Sequence, residues 1–446
     1  MERTILVAGG GVSGVGAARM LLDTGASVIL YDSNEKLDRE ALGKKFPERE
    51  IEIVVGELPE SVLARVSACV ISPGIPMKAP FVKRLREAKV PIWSEIEAAF
   101  RHGKGRLCAI TGTNGKTTTT ALVGKILENY YDSSFVVGNI GTAYTQEALK
   151  MTEESVTVAE VSSFQLETID TFHPQVSAIL NLTPDHLDRH GTMEEYIRVK
   201  ELITKNQTRE DTCVLNFEDK EIRKFGEPLP IQVIWFSSKQ RISGGIYLEG
   251  SSMISELSGE RELVADTGEL QILGVHNYEN AMAAVAVSHA MGVPMEVIRK
   301  SLREFQAVEH RIEFVTEKDG VAYYNDSKGT NPDAAIQGIR AMVRPTVLIA
   351  GGYDKGSDYR EWLRACGGRM KKLILLGATA EKIAKEARNL GFTDISFASS
   401  MEEAVKLAKA ATEPGDAVLL SPACASWGMF KNYEERGRIF KELVRR

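Results

Sequence analysis

The sequence is poor in cysteine. Five thiols occur in 446 residues, at positions 69, 108, 213, 366 and 424, and none forms a Cys-x-x-Cys pair. That scatter excludes a disulfide-stapled scaffold or a thiolate metal finger and fits reduced, buried thiols of a cytosolic protein. Positive charge is not in excess either: the net charge of −6 leaves no basic footprint for nucleic acid. No stretch approaches the ~20 apolar residues of a membrane span. The one N-terminal apolar run, residues 5–8, is too short for a secretory signal core and lacks its basic flank. There is no low-complexity segment and no fixed-period repeat. What remains is an ordinary globular composition, 43% hydrophobic and 26% charged. Its length predicts two or three domains rather than one core.

The motif around which the chain is organised is Thr111-Gly-Thr-Asn-Gly-Lys116-Thr. The apolar run 107–110 predicts a strand entering it, and the apolar spacing after Thr119 predicts a helix leaving it. A strand, a Gly-rich turn and a helix N-terminus form a phosphate cradle, with backbone N–H groups and the helix dipole facing the anion. Lys116 would reach the β- and γ-phosphates and the Thr117 hydroxyl a Mg²⁺ ion. Ile110 stands where the full P-loop pattern has its first glycine, so the match is to a shorter variant.

Upstream, a strand over 4–8, the turn Gly9-Gly-Gly-Val-Ser-Gly14, a helix over 15–22 and a strand over 27–31 ending at Asp32 read as a dinucleotide-type βαβ unit. An NAD enzyme, a nucleotide-sugar binder or a degenerate fold would all fit it. A strand over 68–71 then ends in Ser72-Pro-Gly-Ile-Pro76, either a ligand-binding turn or a plain loop. The first domain boundary is expected in the mixed helix and basic, Gly-containing link over 93–106.

Downstream, a buried strand over 155–161 carries Glu160 near its end. A carboxylate there is costly unless it is paired, binds metal or caps the next helix. A strand over 178–182 runs into Thr183-Pro-Asp-His186-Leu-Asp-Arg-His190-Gly, which holds two of the seven histidines. Three strand ends converging on one sheet edge make a plausible phosphate and Mg²⁺ site, although a histidine ligand is less usual for Mg²⁺. A helix over 194–205 places Lys200 in apolar company, where snorkelling to the surface is the ordinary account. Short strands and turns are expected over 214–273. Asn277 and Asn280 share a face of the next helix, placed at 281–291, and could bond a base or cap the helix. The second boundary falls near 305–310. Strands over 321–325, 346–350, 373–376 and 417–420 then predict a second doubly wound α/β domain. Its strand-end loops carry Lys328, Lys355 and small hydroxyls, which together suit an anionic substrate.

Taken together and in order along the whole chain, these motifs resemble the Mur ligase family of ATP-dependent, amide-bond-forming enzymes of peptidoglycan synthesis. The resemblance rests on the Lys116 motif, Glu160-Val-Ser-Ser-Phe-Gln165, Asn181-Leu-Thr-Pro-Asp-His186, Glu309-His-Arg311, Asn325-Asp-Ser-Lys328-Gly-Thr330, Ser421-Pro-Ala-Cys-Ala-Ser426 and Lys431-Asn-Tyr433. It implies three α/β domains: an N-terminal Rossmann-like domain (1–94), a central P-loop-type ATPase with a mixed sheet (95–306), and a C-terminal Rossmann-like domain (307–446) that takes an amino acid and closes on ATP. It assigns the first Gly-rich turn to UDP. The implied small-molecule substrates are UDP-N-acetylmuramoyl-L-alanine and D-glutamate, with ATP and two Mg²⁺ ions as cofactors and no nucleic-acid or membrane partner.

The implied residues follow the motifs. Val12, Ser13, Asp32, Ser33, Gly74, Asn139, Ser162 and Gln165 would hold the UDP substrate. Gly112, Thr113, Asn114, Gly115, Lys116, Thr117, Thr118, Asn277, Asn280, Arg311, Asp326 and Lys328 would hold ATP. Thr117, Glu160, His186 and a carbamylated Lys200 would hold metal, with Lys116, His186 and Lys200 catalytic. Thr330, Lys355, Ser426 and Tyr433 would contact D-glutamate. A folylpolyglutamate-type ligase shares the ATPase core but has no need of the N-terminal Gly-rich domain. An NAD(P) oxidoreductase leaves the P-loop unexplained, and a non-catalytic nucleotide switch would show no substrate-dependent turnover.

Overall fold

The computed structural model describes residues 4–47, 49, 51–306 and 308–446, the Asp188 side chain excepted. The expected junction at 306/307 therefore meets a residue outside those described. Three sheets organise the chain. The first contains β1 (Thr4–Ala8), β2 (Ser27–Asp32), β3 (Glu52–Val55), β4 (Val66–Ile71) and β5 (Ile92–Ser94), all parallel, in the order β3-β2-β1-β4-β5. The second contains β6 (Arg106–Thr111), β7 (Ser134–Gly138), β8 (Val156–Glu160), β9 (Val176–Ile179), β10 (Thr212–Asn216), β11 (Gln232–Ser237), β12 (Ile246–Glu249), β13 (Ser252–Ser255) and β14 (Glu262–Asp266). Its order is β14-β13-β12-β11-β10-β9-β6-β8-β7, parallel from β7 through β12 and antiparallel beyond. The third contains β15 (Glu313–Lys318), β16 (Val321–Asn325), β17 (Thr346–Ala350), β18 (Met370–Leu375), β19 (Ile395–Phe397) and β20 (Ala417–Leu420), in the order β15-β16-β20-β17-β18-β19, with only β15 antiparallel.

The strand sequences explain the parallel pairing. Strands β8, β17 and β20 are buried at every position, as a parallel sheet with helices on both faces requires. Helices start where Ser, Thr, Asp or Asn can accept from an N–H of the first turn: Ser94, Thr192, Asp219, Asn331, Ser400 and Asn432 each do so. By contact density the chain divides into two compact units. One holds Met1–Asp266 with Asn280–Leu302, the other Thr267–Glu279 with Arg303–Arg446. The first two sheets thus share a unit.

Element boundaries shift from expectation for local reasons. The first helix begins at Val12, not Val15, because its opening residues lie in the Gly-rich turn. The P-loop helix begins at Lys116 itself. The helix expected over 194–205 is Met193–Glu201 followed by a tighter turn, Leu202–Thr204. The helix expected over 281–291 spans Val275–Ala290, which puts Asn277 inside it. Two edge strands, β15 and β19, and a helix, Lys220–Gly226, were not legible: they are short and half exposed, so their apolar periodicity is weak.

The Gly-rich turn after β1 is a packing constraint. A Cβ on Gly14 would sit 1.8 Å from the Gly9 carbonyl oxygen, whereas one on Gly11 would meet nothing within 4 Å. Alanine favours a helix over glycine by about 1 kcal/mol, so the sign of a substitution depends on the clash. Gly14→Ala is expected to destabilise by about 1–3 kcal/mol in urea unfolding, while Gly11→Ala, at the N-cap and in open space, costs less than about 1 kcal/mol as a poorer cap.

Candidate active site

In the first unit, β6 lies between β9 and β8, and the loops leaving all three strands meet at one edge of the sheet. A strand order that reverses direction in this way opens a crevice at the strand C-termini. The P-loop fills it. Asn181, just past β9, clamps the loop: its Oδ1 accepts from Asn114 N–H at 2.8 Å and its Nδ2 donates to the Asn114 carbonyl at 3.0 Å. Thr113 N–H donates to the Asn181 carbonyl, and the Thr113 hydroxyl bonds the Thr183 carbonyl and the Tyr196 hydroxyl, each at 3.0 Å. Gly115 caps the helix with φ +84, and a Cβ there would come within 2.1 Å of Asn280 Oδ1. Asn280 therefore lies against the cradle. The first intrahelical bond runs from Thr119 N–H to the Gly115 carbonyl, so helix geometry aims the preceding N–H groups out of the N-terminus. Thr117 and Thr118 are buried there.

Lys116 Nζ donates to the Gly112 and Thr113 carbonyls, both at 2.9 Å. Lys200 Nζ reaches the same Gly112 carbonyl at 2.9 Å and lies 3.4 Å from Thr111 Oγ1 and 4.8 Å over the Tyr196 ring. Lys200 is 2% exposed, so the surface-snorkelling account is overturned: its helix packs Tyr196 and Val199 inward and takes the lysine with them. Burial holds its ammonium well below the ordinary lysine value, and the Lys116 cation lowers it further, against a smaller raising effect of Asp185 and Glu160.

Glu160 closes β8 and is 1% exposed. Oε1 accepts from Asn139 Nδ2 at 2.9 Å, while Oε2 is buried without a hydrogen-bond partner among the described residues. It does not cap the next helix. Ser162 does, in a reciprocal capping box with Gln165. An orphaned buried carboxylate oxygen at the end of the strand next to the one that enters the phosphate cradle suits a hard cation. His186 follows β9 with a left-handed backbone, φ +52, its side chain half exposed and edge-on to Phe164 at 4.8 Å. His190, by contrast, is buried and engaged: Nε2 meets Ser163 Oγ at 3.0 Å, and its ring stacks on Phe164. Gln165 Nε2 donates to Glu95 Oε1 at 2.7 Å, and burial pushes the Glu95 carboxyl up to about 7.

The same unit holds the first Gly-rich turn, where β1 lies between β2 and β4. Asp32 Oδ2 accepts from Gly10 N–H at 2.8 Å and Oδ1 from Asn34 N–H at 2.9 Å, so the acid braces its own turn. Val12 is 77% exposed at the helix start. Ser33 and Gly74 lie on the neighbouring strand-end loops, and nothing lies within 4 Å of the Cβ position of Gly74.

In the second unit, the loops after β16, β20 and β17 leave adjacent strands. Asp326 is buried; Ser421 Oγ donates to its Oδ2 at 2.7 Å, and burial pushes its carboxyl up to about 7 despite Ser421 and Arg311. Arg311 lies between two left-handed residues, His310 (φ +68) and Ile312 (φ +48). For a β-branched residue that conformation is strained, and such strain gathers at functional loops. Lys328 Nζ lies 5.7 Å over the Tyr433 ring, and Lys355 Nζ lies 5.0 Å over Trp427. Thr330 and Ser426 sit on the same strand-end loops, Ser426 buried. Asn277 donates to the Leu273 carbonyl at 2.8 Å. Sequence reasoning missed Arg436, 2% exposed, which donates to Ser327 Oγ, the Ser327 carbonyl and the Cys424 carbonyl. An arginine in a charged helix carries no signal of burial. The cluster Glu309, His310 and Glu313 is no free metal set, since Lys441 bonds both carboxylates.

Three family models match the chain: the N-terminal domain of MurD-like Mur ligases over residues 3–94, the Mur ligase middle domain over 110–288, and the Mur ligase glutamate ligase domain over 310–424. UDP-N-acetylmuramoylalanine--D-glutamate ligases from Lachnospira eligens and Lachnoclostridium phytofermentans are each 52% identical to it, over 99% and 100% of this chain and 98% of each relative. The chain belongs to the Mur ligase family. Solved folds agree: UDP-N-acetylmuramate-alanine ligase from Thermotoga maritima superposes with a TM-score of 0.61 at 20% identity, over 99% of both chains. A Mur ligase is an ATP-dependent enzyme that forms an amide bond, and the three α/β sheets are those of this family. Among the described residues of this Mur ligase, no helix is long and apolar enough to cross a membrane.

The raised Asp326 carboxyl has a consequence for stability. Its folded value of about 7 lies above the ordinary 3.8, so the folded state holds a proton that the unfolded state releases. That contribution costs nothing below pH ~4 and grows to its full size above pH ~7, on the order of a few kcal/mol. Asp326→Asn is expected to gain stability relative to wild type as pH rises from 4 to 8, read as a widening difference in urea midpoints.

Proposed function

We propose that this Mur ligase joins D-glutamate to UDP-N-acetylmuramoyl-L-alanine in the cytoplasm, converting ATP to ADP and phosphate, in peptidoglycan precursor synthesis. The observation that carries the reading is the meeting of Lys116, Lys200 and the orphaned Glu160 oxygen at adjacent strand ends, in a chain 52% identical along its length to enzymes named for that reaction. The domain assignments 1–94 to the UDP substrate, 95–306 to ATP and 307–446 to the amino acid belong to this proposal.

A carboxylate is a poor electrophile. The alanine carboxylate oxygen attacks the γ-phosphorus of ATP, ADP leaves, and an acyl phosphate forms. The D-glutamate amine then attacks the acyl carbon. The tetrahedral adduct loses the amine's proton, its C–O bond to the phosphoryl group breaks, and phosphate departs. The protein contributes position and charge stabilisation. Lys116 and the N–H groups at the start of its helix hold the phosphates, with Gly112, Thr113, Asn114, Gly115 and Thr118 shaping the loop. Asn277, Asn280, Arg311, Asp326 and Lys328 serve the rest of ATP. Val12, Ser13, Asp32, Ser33, Gly74, Asn139, Ser162 and Gln165 serve the UDP substrate, and Thr330, Lys355, Ser426 and Tyr433 the D-glutamate. Thr117, Glu160, His186 and carbamylated Lys200 would hold two Mg²⁺ ions, which offset the repulsion between carboxylate and phosphates.

Lys200 is suited to carbamylation because burial favours the neutral amine that must react with CO₂. The carbamate nitrogen bonds the CO₂ carbon, a proton leaves, and two oxygens with a negative charge replace the ammonium. Lys200→Ala is expected to lose activity by about 10²-fold or more, with acetate restoring part of it. ¹³CO₂-derived carbamate should be seen by NMR in wild type and not in the variant. Full activity in Lys200→Ala would remove the role.

The function itself is tested by phosphate release with UDP-N-acetylmuramoyl-L-alanine against a panel of amino acids. Release that requires D-glutamate supports it. Release with L-glutamate and a folate acceptor instead would transfer the chain to folylpolyglutamate chemistry.

A further inference from the structure

Arg189 is assigned no role above, yet its guanidinium is held by two hydrogen bonds and an aromatic ring beside the His186 loop. Its side chain is 13% exposed. Nη2 donates to Glu167 Oε2 at 2.6 Å, on the segment that follows β8. Nη1 donates at 2.5 Å to the carbonyl of Pro73, on the turn that follows β4 of the first sheet. The guanidinium lies 4.0 Å over the ring of Phe164, which also packs against His186 and His190. Glu167 also lies 3.4 Å from His190 Nδ1. The remaining nitrogen, Nε, is buried without a partner among the described residues. The guanidinium keeps this pose even with one donor unsatisfied, which on stability alone is unfavourable.

The two acceptors belong to different sheets. Pro73 precedes Gly74, and Ser72 N–H is itself fixed to the Ala8 carbonyl at the head of the Gly-rich turn. Arg189 lies three residues beyond His186. One planar group therefore spans the turn at the first crevice and the loop at the second. A planar fork holds two acceptors and an aromatic face in fixed relation; a lysine ammonium in its place has no plane to stack on the ring and does not fix the angle between its acceptors.

We propose that Arg189 is a positioning residue for the ligation. It sets the register between the turn carrying Gly74 and the loop carrying His186, so that a substrate held by its nucleotide at the first sheet presents its carboxylate at reacting distance from the phosphates at the second. The proposal rests on the substrate assignment given under Proposed function. A displacement of about 1 Å in a bimolecular site can cost on the order of 10²-fold in rate, so the effect belongs in kcat rather than in binding at either end.

The test compares wild type, Arg189→Lys and Arg189→Ala. Calorimetry measures affinity for UDP-N-acetylmuramoyl-L-alanine and for a non-hydrolysable ATP analogue; steady-state phosphate release measures kcat. The expected result is affinity for each ligand within about threefold of wild type and a kcat reduced about 30- to 100-fold in Arg189→Ala, less in Arg189→Lys, on the scale that misplacement allows. Added methylguanidinium should restore part of the alanine variant's kcat by refilling the fork. A kcat within twofold of wild type in both variants overturns the proposal. So does lost affinity for the UDP substrate with kcat intact, which makes Arg189 a binding residue, or a collapsed melting temperature in both variants, which makes it structural. Wild type that turns over without D-glutamate counts against the assigned function; normal wild-type turnover beside unimpaired variants counts against Arg189 alone.

Discussion

Two lysine ammonium groups converge on one carbonyl oxygen, that of Gly112, each at 2.9 Å. Two like charges around a single neutral acceptor repel, and Lys200 is buried besides. The physical outcome is an ammonium pulled well below its usual value and a site that negative charge relieves, whether phosphate or carbamate. Around this point the central sheet is arranged. Strand β6 must lie between β8 and β9 for the loop to be gripped by Asn181 on one side while Glu160 closes β8 on the other. Gly115 must be left-handed for Asn280 to approach it.

The same architectural device recurs in each sheet. In the first, β1 lies between β2 and β4; in the second, β6 lies between β9 and β8; in the third, β20 lies between β16 and β17. Each arrangement brings strand-end loops together at carboxyl ends, where ligands of α/β sheets bind. Backbone strain follows the same loops. Of the six non-glycine residues with positive φ among the described residues, His186, His310, Ile312 and Ala423 lie within or beside the motifs carrying the proposed chemistry. Such conformations cost on the order of 1–3 kcal/mol each and persist where surrounding contacts over-determine them. At His310 those contacts are Asn325 and Glu313; beside Ala423, Arg436 holds the Cys424 carbonyl.

Buried ionisable groups divide into two kinds. Glu97 is fully enclosed but accepts from three backbone N–H groups and the Thr171 hydroxyl, and its carboxyl is lowered despite burial. It is a structural acid. Glu160, Glu95 and Asp326 sit in or beside the crevices; among the described residues Glu160 and Glu95 each keep an oxygen without a partner, and the Glu95 and Asp326 carboxyls are pushed up to about 7. Incomplete solvation by the protein separates groups available to a ligand from groups that only hold the fold.

The sequence by itself determined the α/β class, the positions of most buried strands and the phosphate cradle, because these are local: continuous apolar runs, a glycine turn and a helix start leave their pattern in adjacent residues. The strands at 4–8, 321–325, 346–350 and 417–420 fall where their apolar runs place them. Tertiary structure decided whatever depends on partners distant in the chain. Lys200 is buried rather than snorkelling because Tyr196 and Val199 on its own helix are buried and the Gly112 carbonyl of the P-loop accepts from its Nζ. Glu160 keeps an orphaned oxygen because Asn139 satisfies only one of its two. Arg189 is largely enclosed and Arg436 buried because carbonyls of other loops, at Pro73 for the first and at Ser327 and Cys424 for the second, turn toward them. A cation's burial is set by the acceptors that fold around it, and a one-dimensional pattern of hydropathy does not record where those acceptors will point.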